Sequence, residues 1–101
     1  MATPYKKRIL DYCAVHEITV PPGFGRNTPS RYAIIRLDIT PNKLVAKTWF
    51  KIADVVYYLE NILTPELGNN VSQSIRILDF QENQQLEWNG YKQLNPYASL
   101  S

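Results

Sequence analysis

Cys13 and His16 stand three residues apart, the spacing that sets two side chains on one face of a helix. A thiol and an imidazole held together there could carry nucleophilic chemistry, the imidazole taking the proton from sulfur, or supply two ligands to zinc. The chain has one cysteine and one histidine, so a zinc site would need carboxylates or another chain to complete it. On a strand the two side chains would point to opposite faces and the pairing would fail. The commoner arrangement for such residues is a buried cysteine acting as a small hydrophobe beside a partly exposed histidine. The carboxylates form no acid/base pair: Asp79, Glu82 and Glu87 fall around an expected turn and suit solvated charges. Gly23-Phe24-Gly25-Arg26 lacks the third glycine of a dinucleotide loop and the Gly-Lys-Ser/Thr of a P-loop. The inventory therefore points away from an enzyme, with no metal, no cofactor and no evident small-molecule substrate.

The remaining constellation is basic and aromatic, and its value depends on the elements that carry it. Residues 31–39 alternate, with Ala33, Ile35, Leu37 and Ile39 on one face and Tyr32, Ile34, Arg36 and Asp38 on the other. Thr40-Pro41-Asn42-Lys43 has turn chemistry. Pairing across it sets Ile39 opposite Leu44, Leu37 opposite Ala46, Ile35 opposite Thr48 and Ala33 opposite Phe50, so core positions meet core positions. The outer face then carries Tyr32, Ile34 and Arg36 across from Lys51, Trp49 and Lys47. Arg36 opposite Lys47 is a like-charge pair costing a few tenths to about 1 kcal/mol, which a phosphate or a partner carboxylate would remove. A competing pattern runs Val45, Trp49, Ile52, Val56, Leu59 and Leu63 along one long helix, which would bury Trp49 in its seam. The β-branched and aromatic content of 45–50 favours strand to about 50 and helix over 51–63.

Elsewhere, Thr3-Pro4 suits a helix start, and Tyr5, Ile9, Tyr12 and His16 recur at helical spacing, giving a short N-terminal helix over about 4–14 and a short strand near 15–20. The proline- and glycine-rich stretch 21–30 is a loop that would present Phe24 and Arg26 to a partner or tuck the phenylalanine back. Pro65 should end the principal helix. Residues 74–80 and 85–88 read as strands, and Asn89-Gly90 as a two-residue turn setting Trp88 against Tyr91 and Glu87 against Lys92. The tail 95–101 is expected to fray. The fold class is α+β: one small domain of antiparallel hairpins packed against one principal helix through Ile52, Val55, Val56, Leu59, Ile62 and Leu63.

One hundred and one residues with 45% hydrophobic and 20% charged content suit one globular core. The longest apolar run, Val55 to Leu59, is far shorter than the roughly 18 residues of a membrane span. Asp11, His16 and Glu17 interrupt the chain after Lys6-Lys7-Arg8, so no secretory leader is expected. With one cysteine, a reducing cytoplasmic setting fits. The net charge of +2 conceals a division. Residues 1–51 hold nine basic against three acidic side chains, a surplus of +6, and residues 52–101 hold two against six, or −4. Kept apart in space, those halves would attract partners of opposite sign or one another, head to tail. The expected function is a non-catalytic interaction protein, an adaptor, regulatory subunit or small component of an assembly, that binds a protein or self-associates through Phe24, Arg26, Tyr32, Arg36, Lys47, Trp49 and Lys51. The alternative is a small nucleic-acid-binding module, with Lys and Arg on phosphates and Trp49 and Tyr32 stacking on bases. Its isoelectric point near 8.7 is modest for that role.

Overall fold

The periodicity of the N-terminal segment produces helix α1, Tyr5–Val15, in the computed structural model, which describes residues 5–22, 24, 31–90 and 93–100; the expected cap at Thr3-Pro4 lies outside them. The helix stops at a Schellman-type turn: Ile18 N–H donates to the Cys13 carbonyl at 2.8 Å, and Glu17 takes the left-handed conformation usually given to glycine, φ 57°. Ile18 and Cys13, the two residues this turn brings together, are both buried. In place of a strand near 15–20 the chain makes a single parallel bridge, Thr19 to Lys43.

Strands β1 (Tyr32–Arg36), β2 (Lys43–Leu44), β3 (Ile75–Asp79), β4 (Gln84–Trp88) and β5 (Leu94–Ser99) form one antiparallel sheet in the order β2-β1-β3-β4-β5. The chain is thus an α+β domain, as its pattern implies. The first hairpin has a different register. Ile35 faces Leu44 and Arg36 faces Lys43, so the pairing is displaced by four residues from Ile35 opposite Thr48. Four is even, so Ile35 and Leu44 still point into the same core. The second hairpin differs too: Trp88 faces Leu94 and Glu87 faces Asn95, replacing Trp88 with Tyr91 and Glu87 with Lys92. Tyr91 and Lys92 themselves lie outside the described residues. The new register sets Trp88 beside Leu94, an apolar residue packed on the same core. Residues 95–99, expected to fray, are the edge strand, where Pro96 is tolerated because only one side of the ladder needs donors.

Helix α2, Ile52–Tyr58, runs into a π-helical turn, Leu59–Leu63, then α3, Thr64–Leu67, a 3-10 turn, Gly68–Asn70, and α4, Val71–Ser74. Pro65 does not end the helical path. The wider turn just before it, in which Thr64 N–H reaches back five residues to the Leu59 carbonyl, makes room for the proline ring. Val55, Leu59 and Leu63 pack on the sheet, whereas Ile52 and Ile62 are exposed; the wider winding turns Ile62 away from the sheet.

The decisive feature is that both sheet faces are covered. Tyr32, Ile34, Ile75, Ile77, Leu86 and Trp88 meet α2 and its continuation, and Ala33, Ile35, Leu78 and Phe80 meet α1. Among the described residues, no helix is long and apolar enough to cross a membrane.

Candidate functional site

Trp49 is held by its backbone. Its N–H donates to the Tyr32 carbonyl at 3.1 Å, and its carbonyl accepts from Tyr32 N–H at 2.8 Å and Arg31 N–H at 3.1 Å, a one-residue ladder beside the start of β1. Strand to about residue 50 does not form: β2 ends at Leu44 and Trp49 makes an isolated antiparallel bridge with Tyr32, and the surface exposure expected of it is not met either. The indole packs at 4.9 Å against the Tyr58 ring and is 3% exposed, and Tyr32 is 4% exposed. The outer face of the hairpin is an interior face because α2 folds over it, so neither ring offers a platform for a base.

Above this floor lies a groove of about 450 Å³ lined by Lys47, Thr48, Trp49, Asp54, Tyr57, Tyr58 and Ile62. Tyr57 and Ile62 stand at 67% and 46% exposure on its α2 side, while Lys47 is exposed on the other. Phe50 and Ile52 are further exposed apolar residues at the entry to α2, either side of exposed Lys51. Burial raises the Tyr58 hydroxyl pKa, with Arg36 opposing the shift and Glu66 adding to it, so the phenol stays neutral. The groove thus combines a floor of half-buried Tyr58 over buried Trp49, an apolar wall and a rim that carries Lys47 and Asp54. Only Lys47 and Trp49 of the seven expected contact residues line it. Thr48, Asp54, Tyr57, Tyr58 and Ile62 were missed, although the adjacent pair Tyr57-Tyr58 is a signal: consecutive helical residues diverge by about 100°, so both cannot enter the core.

The other expected contacts are dispersed. Phe24 is buried in the core beneath α1, and Arg26 lies outside the described residues. Arg36 donates to both oxygens of Asp38, at 2.8 and 2.6 Å, and to Glu66 at 3.3 Å. The hydrogen bond to Asp38 is the main reason its pKa is raised, and the same bond lowers that of Asp38. Arg36 therefore needs no phosphate to offset a neighbouring lysine, and its neighbour across the ladder is Lys43, not Lys47.

The division of charge along the chain does not become a division in space. Arg31 pairs with Asp79 at 3.1 Å and Arg36 with Glu66, each bond joining the basic half to the acidic half. The cause is topological: β1, from the basic half, lies beside β3, from the acidic half.

Cys13 and His16 do not meet as a catalytic pair. Cys13 is buried under α1 and its thiol is pushed up to about 11 by desolvation, which makes it a poor nucleophile at neutral pH. His16 is exposed and stacks on Tyr12 at 4.1 Å between ring centroids. Among the described residues, no group of three His, Cys, Asp or Glu side chains could hold a metal ion. No family model matches the chain, and no curated protein or solved structure is significantly similar to it.

Proposed function

We propose that the chain is a non-catalytic interaction protein, an adaptor or small component of an assembly, that seats a segment of a partner protein in the groove beside α2. The observation that carries this reading is the groove itself, with Tyr57 and Ile62 standing in solvent above the Trp49–Tyr58 floor. Large apolar side chains beside a preformed aromatic floor are the composition of protein contact centres. Lys47 and Lys51 are exposed, and no ion pair engages either among the described residues. The complementary segment carries an apolar anchor flanked by acidic residues. A cytoplasmic setting belongs to the same reading, supported by a lone thiol that is buried. A second copy of the chain is one such partner, to be told apart by mass.

The test places the photo-crosslinking residue p-benzoylphenylalanine at position 57, or at exposed position 98 as a control, in cells. The expected result is one dominant adduct from position 57, resistant to nuclease. Its yield drops about tenfold with Ile62→Glu or Lys47→Glu, the effect of losing a contact worth roughly 1–2 kcal/mol. Equal adducts from position 98, or yields indifferent to both substitutions, overturn the proposal. An adduct destroyed by nuclease overturns it in favour of the nucleic-acid alternative, and an adduct of twice the chain's mass identifies self-association.

A further inference from the structure

On the opposite side of the sheet, α1, the turn joining β3 to β4 and the end of β5 flank a second, open cleft, of about 520 Å³, within the usual size of small-molecule sites. Its walls are mainly apolar: Tyr12, Val15, Phe80 and Leu100. The half-buried Tyr12 ring, stacked on His16, meets the Phe80 ring edge to face at 6.0 Å, and Phe80 itself is buried at the base of the cleft. Val15, 77% exposed, stands at the mouth.

The one guanidinium in this cleft is bonded unlike those of Arg31 and Arg36. Those two each end on carboxylates, whereas Arg8 donates to the Phe80 carbonyl and to Asn83 Oδ1, both neutral oxygens, and lies 5.8 Å from the centre of the Phe80 ring. The acidic residue on the cleft wall, Asp11, pairs with Lys7 at 3.0 Å. Arg8 thus makes no ion pair among the described residues and is held in place by two hydrogen bonds, half-buried beside apolar walls. A guanidinium has five N–H donors in a rigid fork, so two bonds do not exhaust it, and the fork matches a carboxylate.

We infer that this cleft binds a small apolar monocarboxylate, its hydrophobic body against Tyr12, Val15 and Leu100 and its carboxylate on Arg8. The apolar walls select for a hydrophobic body, which an inorganic anion lacks. The charge on Arg8 selects for an acid over its neutral isostere. This site is independent of the groove beside α2 and can stand or fall without it.

The experiment titrates the labelled protein with 3-phenylpropionate and, separately, with its amide, following backbone amide resonances by NMR. Saturable shifts at Tyr12, Val15, Phe80 and Asn83 are expected, with the acid binding about tenfold more tightly than the amide, the usual gain from a charge-assisted bond. Arg8→Met should abolish that preference while keeping the aliphatic stem. Because Arg8 also ties α1 to the β3–β4 turn, Val15→Glu provides a second variant: it leaves the core untouched, sets a carboxylate at the mouth and should weaken the acid more than the amide. Equal affinities for acid and amide, a preference that survives both substitutions, shifts confined to the groove beside α2, or no saturation by about 10 mM, a range that covers weak millimolar sites, each overturn the inference.

Discussion

Asp79 is the buried charge on which the sheet's centre most depends, and its replacement by asparagine gives a prediction with a defined size. Its side chain is 2% exposed and accepts from Arg31 Nε and Nη2, each at 3.1 Å, from the backbone N–H groups of Gln81 and Glu82, and from Gln84 Nε2 at 3.4 Å. Asp79→Asn keeps the volume and leaves Oδ1 for the backbone amides, but it turns an N–H₂ donor toward the Arg31 and Gln84 donors. Breaking a buried, hydrogen-bonded ion pair from one side costs about 3–5 kcal/mol. Arg31 remains 21% exposed and can turn its stranded charge to water, which brings the loss down to about 2–3 kcal/mol. With a urea slope of about 1–1.5 kcal/mol per molar for a chain of this size, the unfolding midpoint should fall by about 2 M. Arg31→Met should then cost less in the Asp79→Asn background than in the natural chain, by about 1.5–2 kcal/mol. A midpoint within about 0.3 M of the natural protein, or costs that simply add, would refute the assignment of this pair as the stabilising unit.

Two further outcomes follow from titrating groups. Burial raises the pKa of Asp79, but the Arg31 hydrogen bond and the Gln81 and Glu82 amides outweigh it and lower the pKa overall, as Arg36 does for Asp38. A carboxyl depressed in the folded state contributes stability above its unfolded pKa, roughly 3.9, and loses it as the pH falls through the folded value. Urea midpoints should therefore hold from about pH 7 to 5 and fall below about pH 4, and Asp79→Asn should flatten that fall; parallel curves would contradict it. The Cys13 thiol, pushed up to about 11, should react with an aromatic disulfide reagent at neutral pH about two orders of magnitude more slowly in the native chain than in denaturant. Equal rates would mean that the thiol is open to solvent and would restore it as a candidate nucleophile.

Local pattern was legible wherever local physics decides. Helix α1 and strands β3 and β4 follow their periodicities, and the first hairpin exists because Ile35 and Leu44 share a face. Its register was not legible, because a displacement by four residues preserves the parity that turns Ile35 and Leu44 inward, although Ile39 and Phe50, expected to face the core, are exposed. The fate of Trp49 was set by a second layer of structure. A signal for that layer was present in Tyr32-Ala33-Ile34-Ile35, an unbroken apolar run that fits a strand covered on both faces better than one with a wet side. The π-turn before Pro65 left no such trace, since it is a backbone accommodation that exposes Ile62 without altering the spacing of Val55, Leu59 and Leu63. The charge division was legible but misleading, because adjacency in the sheet depends on strand order and not on position in the chain.

Covering both faces of the sheet changes where recognition can occur. A sheet with one wet face would offer its aromatic and basic residues as a platform, and Trp49, Tyr32 and Arg36 would work together. In this fold helices seal both faces, and Arg31 and Arg36 are spent on internal carboxylates. Recognition moves to the seams where a helix leaves the sheet. The seam beside α2 and the seam beside α1 differ in the way expected of different ligands. The groove beside α2 has exposed anchors and one long, exposed lysine, Lys47, at its rim, which suits a polypeptide that supplies its own shape. The cleft beside α1 has apolar walls and one fixed cation, which suits a small apolar acid. Because Ile34 faces one core and Ile35 the other, the strand they share separates the two seams, and occupation of one leaves the other sterically free.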